Sequence, residues 1–233
     1  MRFPKAGGRC EGVLINSAGG IAGGDIVGVA CEVQAGAIVT LTTQSAEKIY
    51  SAEGPPAQLC VDLSLADKAT LIWLPQETIL FDGAALVRQF NVSMSPSATL
   101  LALESTVFGR VAAAEQLDTG QFLDRWRVRR DGRLIFADST RLSGAISRIL
   151  AGPACGDGAR AVATLLYAAP DAEARLPGLR RLFAKTKGRC AASAFQGMLV
   201  ARFAAADPAD LRAAVVAAAQ ALLPQPLPRV WFC

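Results

Sequence analysis

The sequence contains no histidine in 233 residues. That absence excludes a Ser-His-Asp or Cys-His catalytic arrangement and any histidine-ligated zinc or iron site. Carboxylate, hydroxyl, carbonyl and thiolate remain as metal ligands. Hard oxygens of that kind hold a divalent ion loosely and make a poor permanent site for a late transition metal. No C-x-x-C pair occurs among the six cysteines (10, 31, 60, 155, 190 and 233). The opening MRFPKAGGRCEG has no apolar signal core, so the expectation is a cytoplasmic protein with reduced thiols, several of them filling core. No apolar run approaches the ~20 residues that span a bilayer, and a net charge of +4 spread along the chain gives no nucleic-acid footprint.

What the chain does have is a pattern written three times. Aligned on Ala37, Ala69 and Ala98, which are 32 and 29 residues apart, each copy begins with an alternating strand. These are Val29-Cys31-Val33, then Leu59-Val61-Leu63-Leu65, then Phe90-Val92-Met94, with mostly polar residues between. Period-two alternation marks a strand with one wet face. Each copy turns and runs into a second strand, apolar on nearly both sides: Ile38 to Leu41, Leu71 to Leu74, Leu100 to Leu103. A strand of that kind is covered on both faces. A period near 30 residues predicts supersecondary units stacked on one another. Stacking would gather Thr42-Thr43-Gln44-Ser45, Gln76-Glu77-Thr78 and Glu104-Ser105-Thr106 along one edge, a polar seam against an apolar wall.

Elsewhere a short strand, Val13 to Ile15, precedes the glycine-rich stretch Asn16 to Asp25. No helix pattern follows, so this is no phosphate loop. It reads as a tight turn with positive φ at several residues, or as a close approach of backbone to something. Asp124 to Ala137 predicts a hairpin around Asp131-Gly132, with Arg125, Arg127 and Arg129 on one face. Arg141 to Gly158 reads as irregular, Ala159 to Ala168 as a buried strand, and Ala191 to Phe203 as a further strand. Helices are predicted from Pro170-Asp171 to about Lys185 and from Asp207-Pro208 to Leu223, ahead of a proline-rich tail. The fold class expected is therefore mostly β, a solenoid-like stack of two-strand units with two helices in the C-terminal half, in one domain over 1–233.

GGIAGGD (19–25), TTQSAEKIY (42–50), WLPQETILFDGA (73–84), FGR (108–110) with Glu115, and PRVW (228–231) together resemble the urease accessory protein family UreD, also called UreH. The likeness runs in order over essentially the whole chain. It departs from the usual pattern in starting close to the GG…GGD turn, at Ser51 and at Ala114. The resemblance implies a non-enzymatic chaperone that binds UreF, and through it the GTPase UreG, on the urease apoprotein. It implies nickel in transit and no permanently bound cofactor. The positions inside family motifs that suit such a role are Asp25, Thr42, Thr43, Glu47, Lys48, Tyr50, Glu77, Asp82, Arg110 and Glu115. A cation relay needs oxygens that replace part of a hydration shell without completing a site. Asp25, Glu77 and Glu104 are accordingly expected as transient nickel-facing acids, with Thr42 and Thr43 lining the path and Lys48 and Arg110 pairing with buried acids. The rival readings are ordinary strand-end residues in a pure assembly scaffold, and a hydrolase using Glu77 with Asp82 or Glu104 as an acid–base pair.

Overall fold

The computed structural model describes residues 1–4, 10–223 and 225–232. The first strand is β1 (Cys10–Leu14). The first coil is β2 (Ile26–Val33), β3 (Ile38–Thr43) and the short β4 (Glu47–Ile49). The second is β5 (Ala57–Leu65), β6 (Thr70–Leu74) and β7 (Thr78–Leu80), and the third is β8 (Ala85–Met94) and β9 (Thr99–Phe108). Parallel pairing places Val29 beside Val61 and Val61 beside Phe90, and likewise Val39 beside Leu71 and Leu71 beside Leu100. Those steps are the 32 and 29 residues of the sequence repeat. The chain is mostly β, in a solenoid-like arrangement of about three turns. Even the turns stack: the Thr70 amide donates to Ala37 O at 2.8 Å and the Thr99 amide to Ala69 O at 2.8 Å.

The remaining elements close the stack. A hairpin, β10 (Gln121–Arg130) and β11 (Arg133–Ser143), pairs with β8. Its Asp131 and Gly132 both have positive φ (51° and 73°), as the predicted turn demands. After α1 (Ile146–Ala151), β12 (Ala161–Ala168) runs antiparallel to β9. Then come α2 (Ala172–Phe183), the hairpin β13 (Arg189–Phe195) and β14 (Met198–Ala205), and α3 (Pro208–Leu222), capped by Asp207 Oδ1 on the Ala209 amide. One sheet has the order β11-β10-β8-β5-β2. The other follows β1-β3-β6-β9-β12-β14-β13, with β7 paired to β9 and β4 paired to β7.

Why the inner strands are greasy on both faces is now plain. Trp73, Leu71 and Leu100 pack between the sheets with Val61, Phe90 and Trp126. On the opposite face Ile72, Leu74, Leu101 and Leu103 pack under α2 and α3 with Leu179, Leu211 and Val215. No helix among the described residues is long and apolar enough to cross a membrane.

Four expectations are corrected. The stretch read as irregular contains the end of β11 and the short α1, held by buried Ile146 and Leu150. The segment read as one strand from Ala191 is a hairpin, turned by Gln196 and Gly197 at positive φ. Ile15 falls outside β1. None of the described cysteines is fully buried: Cys10 and Cys155 are exposed, and Cys31, Cys60 and Cys190 are half-buried, with Cys31 and Cys190 packing only against the margin of the core; Cys233 lies outside the described residues.

Candidate functional site

The site forms where the coils turn their corner. Pro75 has no N–H to give a ladder, so β6 ends and β7 begins three residues later. The next amide, Gln76 N, is satisfied by Thr43 Oγ1 at 2.8 Å, and that hydroxyl donates in turn to Ser45 O at 3.0 Å. The gap between the strands is a cavity of about 440 Å³. Val29, Leu59, Val61 and Trp73 form its apolar wall, and its polar lining includes Thr43, Glu47, Lys48, Gln76, Thr78 and Glu104. Part of the predicted seam therefore exists.

Beneath the cavity lies a buried ion cluster. Arg88 of β8 is 1% exposed and uses all five of its N–H groups. Nε and Nη2 grip Asp124 Oδ1 and Oδ2 at 2.9 and 2.8 Å, and Nη1 donates to Glu104 Oε2 at 2.6 Å. The remaining two protons reach Thr78 Oγ1 at 3.3 Å and Thr106 Oγ1 at 3.4 Å. Glu104 Oε1 accepts from the Trp73 indole at 2.8 Å, and Asp124 Oδ2 from the Trp126 indole at 3.2 Å. Burial pushes the Glu104 carboxyl above its ordinary value; the Arg88 guanidinium opposes that push, Asp124 adds to it, and the Trp73 donor opposes it. On Arg88 burial pulls downward, but Asp124 and Glu104 win and fix it as a cation. Of the three ions only Glu104 lines the cavity.

The other expected residues are placed as follows. Glu77 points to the opposite face of the sheet, pairing with Arg212 Nη1 at 2.6 Å and lining a second, mainly apolar cavity of about 540 Å³ with Phe81, Val107 and Arg110. Arg212 also donates to Gln76 Oε1 and Trp231 O and lies over the Trp231 ring, while Gln76 Nε2 donates to Val230 O. The Gln76-Glu77 pair is thus a clamp between α3 and the C-terminal tail. Asp25 is exposed and lines neither cavity; its Oδ2 accepts from the Ala22 amide at 2.8 Å, closing a turn. Thr42 is buried, its Oγ1 accepting from the Trp231 indole at 3.2 Å. The structure does not bring Asp25, Glu77 and Glu104 together.

Among the supporting residues, Glu47 is half-buried at the cavity, with its Oε1 accepting from Asn16 Nδ2 at 3.0 Å. Lys48 is exposed at a rim that both cavities share. The Tyr50 hydroxyl donates to Gly19 O, and its ring meets Phe81 edge-on at 5.2 Å. A Cβ on Gly20 would fall 2.3 Å from the Tyr50 ring, so the glycine-rich turn is a close approach to this chain's own strand. Asp82 Oδ1 accepts from the Thr119 amide at 2.8 Å. Arg110 stacks over Phe81 and pairs with Glu115, whose carboxyl that guanidinium holds below its ordinary range. The carboxylates of the acid–base alternative have separate partners, and Glu77 and Glu104 line different cavities.

Arg88 and Asp124 were not singled out from the sequence, although a signal was present. Both stand on the inward, apolar side of alternating strands, Arg88 between Leu86 and Phe90, Asp124 between Phe122 and Trp126. The parallel register of β8 and β10 makes them direct neighbours. Among the described residues no group of three or more cysteine, aspartate or glutamate side chains is placed to hold a metal ion.

Fold and site define a class first: a solenoid-like β protein with a polar recess floored by an internally compensated ion cluster. The UreD family model, described as UreD urease accessory protein, matches residues 1–232. The urease accessory protein UreD of Methylobacterium sp. (strain 4-46) is 48% identical over 239 residues, spanning 99% of this chain and 84% of that protein. UreD of Azorhizobium caulinodans is 46% identical (99% and 86%), and UreD 2 of Methylorubrum populi 48% (99% and 79%). The chain belongs to the UreD family of urease accessory proteins. Its relatives are named as accessory proteins, not as enzymes, and the family places this chain in urease maturation.

Proposed function

We propose that this chain works in the cytoplasm with UreF and the GTPase UreG on apo-urease, and that nickel reaches the enzyme through the cavity above Glu104. The observation that carries the reading is the chemistry of that cavity. Its polar lining offers two carboxylates, Glu47 and Glu104, and the hydroxyl oxygens of Thr43 and Thr78, with the Lys48 ammonium at its rim. Such hard, incomplete donor sets suit a divalent ion that must also leave. Glu104 is already held by Arg88 and Trp73, so a passing ion meets a shared carboxylate. Thr43, Glu47 and Glu104 are the route residues on this reading. Asp25, Glu77 and Thr42 serve the turn, the α3 clamp and the tail.

Co-expression with urease, UreF and UreG tests it, comparing wild type with the E47Q/E104Q double variant. The expected result is an assembled complex with reduced nickel per urease. Normal nickel in an assembled complex would favour the pure scaffold reading, in which activation follows assembly alone.

A further inference from the structure

Resting on the reading of that cavity as a cation route, we propose that Arg88 and Asp124 are positioning residues whose balance of charge sets how tightly Glu104 holds a divalent cation. The cluster has one guanidinium and two carboxylates, a formal surplus of one negative charge. Asp124 takes the two-point grip on Arg88, at 2.9 and 2.8 Å, and occupies the directly neighbouring register position. Glu104 takes a single contact, at 2.6 Å, and alone faces the cavity. The Arg88–Asp124 pair is therefore close to self-sufficient, and the surplus charge belongs to Glu104.

That arrangement supports exchange. A dication entering the cavity competes with one Nη1 contact for Glu104 Oε2, while Asp124 keeps the guanidinium neutralised. When the ion leaves, Nη1 reclaims the carboxylate. In neither state is a buried charge left without a counterion, which is the costly condition for ions out of water. Were Asp124 neutral, Arg88 would serve Glu104 alone and the surplus would vanish.

The test is binding of Ni²⁺ alone to the purified full chain, by calorimetric titration, with thermal melts to confirm folding. Glu104→Gln is expected to abolish binding at this site. Asp124→Asn, which makes the cluster neutral, should weaken binding by about tenfold or more. Arg88→Lys keeps the charge while giving up the fork and two of the five donors, and should stay within about threefold of wild type by the same electrostatic argument. A cluster that merely holds the fold together would make the two variants weaken alike. Wild-type affinity in Asp124→Asn with loss in Glu104→Gln overturns the charge-balance inference and leaves the route standing. A tenfold loss in Arg88→Lys overturns it as well. Wild-type affinity in Glu104→Gln removes the route itself.

Discussion

Replacing Arg88 by leucine should destabilise this protein by an amount that depends on pH. The substitution fills much of the volume but leaves Glu104 and Asp124 buried without a counterion, at 5% and 8% exposure. Removing one partner of a buried ion pair costs roughly 3–5 kcal/mol, a large part of the ~5–15 kcal/mol that stabilises a typical domain. For a chain of this size the melting temperature should fall by roughly 6–20 °C. Burial already pushes the Glu104 carboxyl upward, and Arg88 supplies the largest opposing effect. Without Arg88 the carboxyl rises further above its unfolded value. A group raised on folding stabilises the folded state when protonated, and that contribution is lost as pH rises through the folded value. The variant should therefore lose less stability on the acid side of neutrality than on the alkaline side. Thermal melts of wild type and variant on both sides of neutrality read both effects. A loss under about 1 kcal/mol, or one that does not change with pH, would refute the electrostatic account of the cluster.

Two further outcomes follow from other sites. Gly109→Ala forces a Cβ to within 2.7 Å of the Glu115 backbone oxygen at a φ of +81°, and should cost about 1–3 kcal/mol in chemical denaturation. The Tyr167 hydroxyl, raised by burial and by its 2.8 Å bond to Asp171, ionises late, pushed up to about 12. With only Tyr50 beside it in the chain, an alkaline absorbance titration should resolve it. Asp171→Asn should bring it down. Because its folded value is raised, the stability it contributes is present below the unfolded value and lost as pH rises through about 12.

Much of the fold could be read from residues alone, because the repeat is a register. The spacings Ala37–Ala69–Ala98 are the steps by which one coil pairs with the next, and alternation in β2, β5 and β8 names their wet faces. Short elements escaped, since α1 carries only six residues and the Gln196-Gly197 turn lacks the Asn-Gly or Asp-Gly signature. The site was legible in position and not in direction. Glu77 and Thr78 are adjacent in sequence, one just before β7 and the other its first residue, and they face opposite ways. Thr78 meets the ion cluster and Glu77 meets Arg212. Pairing across sheets, as between Arg88 and Glu104, needs the register of both sheets and their relative slide, which no local pattern contains. Motif positions also proved to be mutual neighbours: Gln76 and Glu77 hold the PRVW tail through Arg212 and Val230, and Tyr50 packs on Gly20.

The most direct measurement is whether nickel still reaches urease when the cavity is filled and its charges are untouched. Val29 is a half-buried wall residue, and Val29→Trp adds a bulky ring there without altering Glu47, Glu104 or the ion cluster. In cells co-expressing urease with UreF and UreG, the complex should still be recovered intact and the nickel bound per urease should drop severalfold. A full complement of nickel in urease matured with that variant would contradict passage through this cavity.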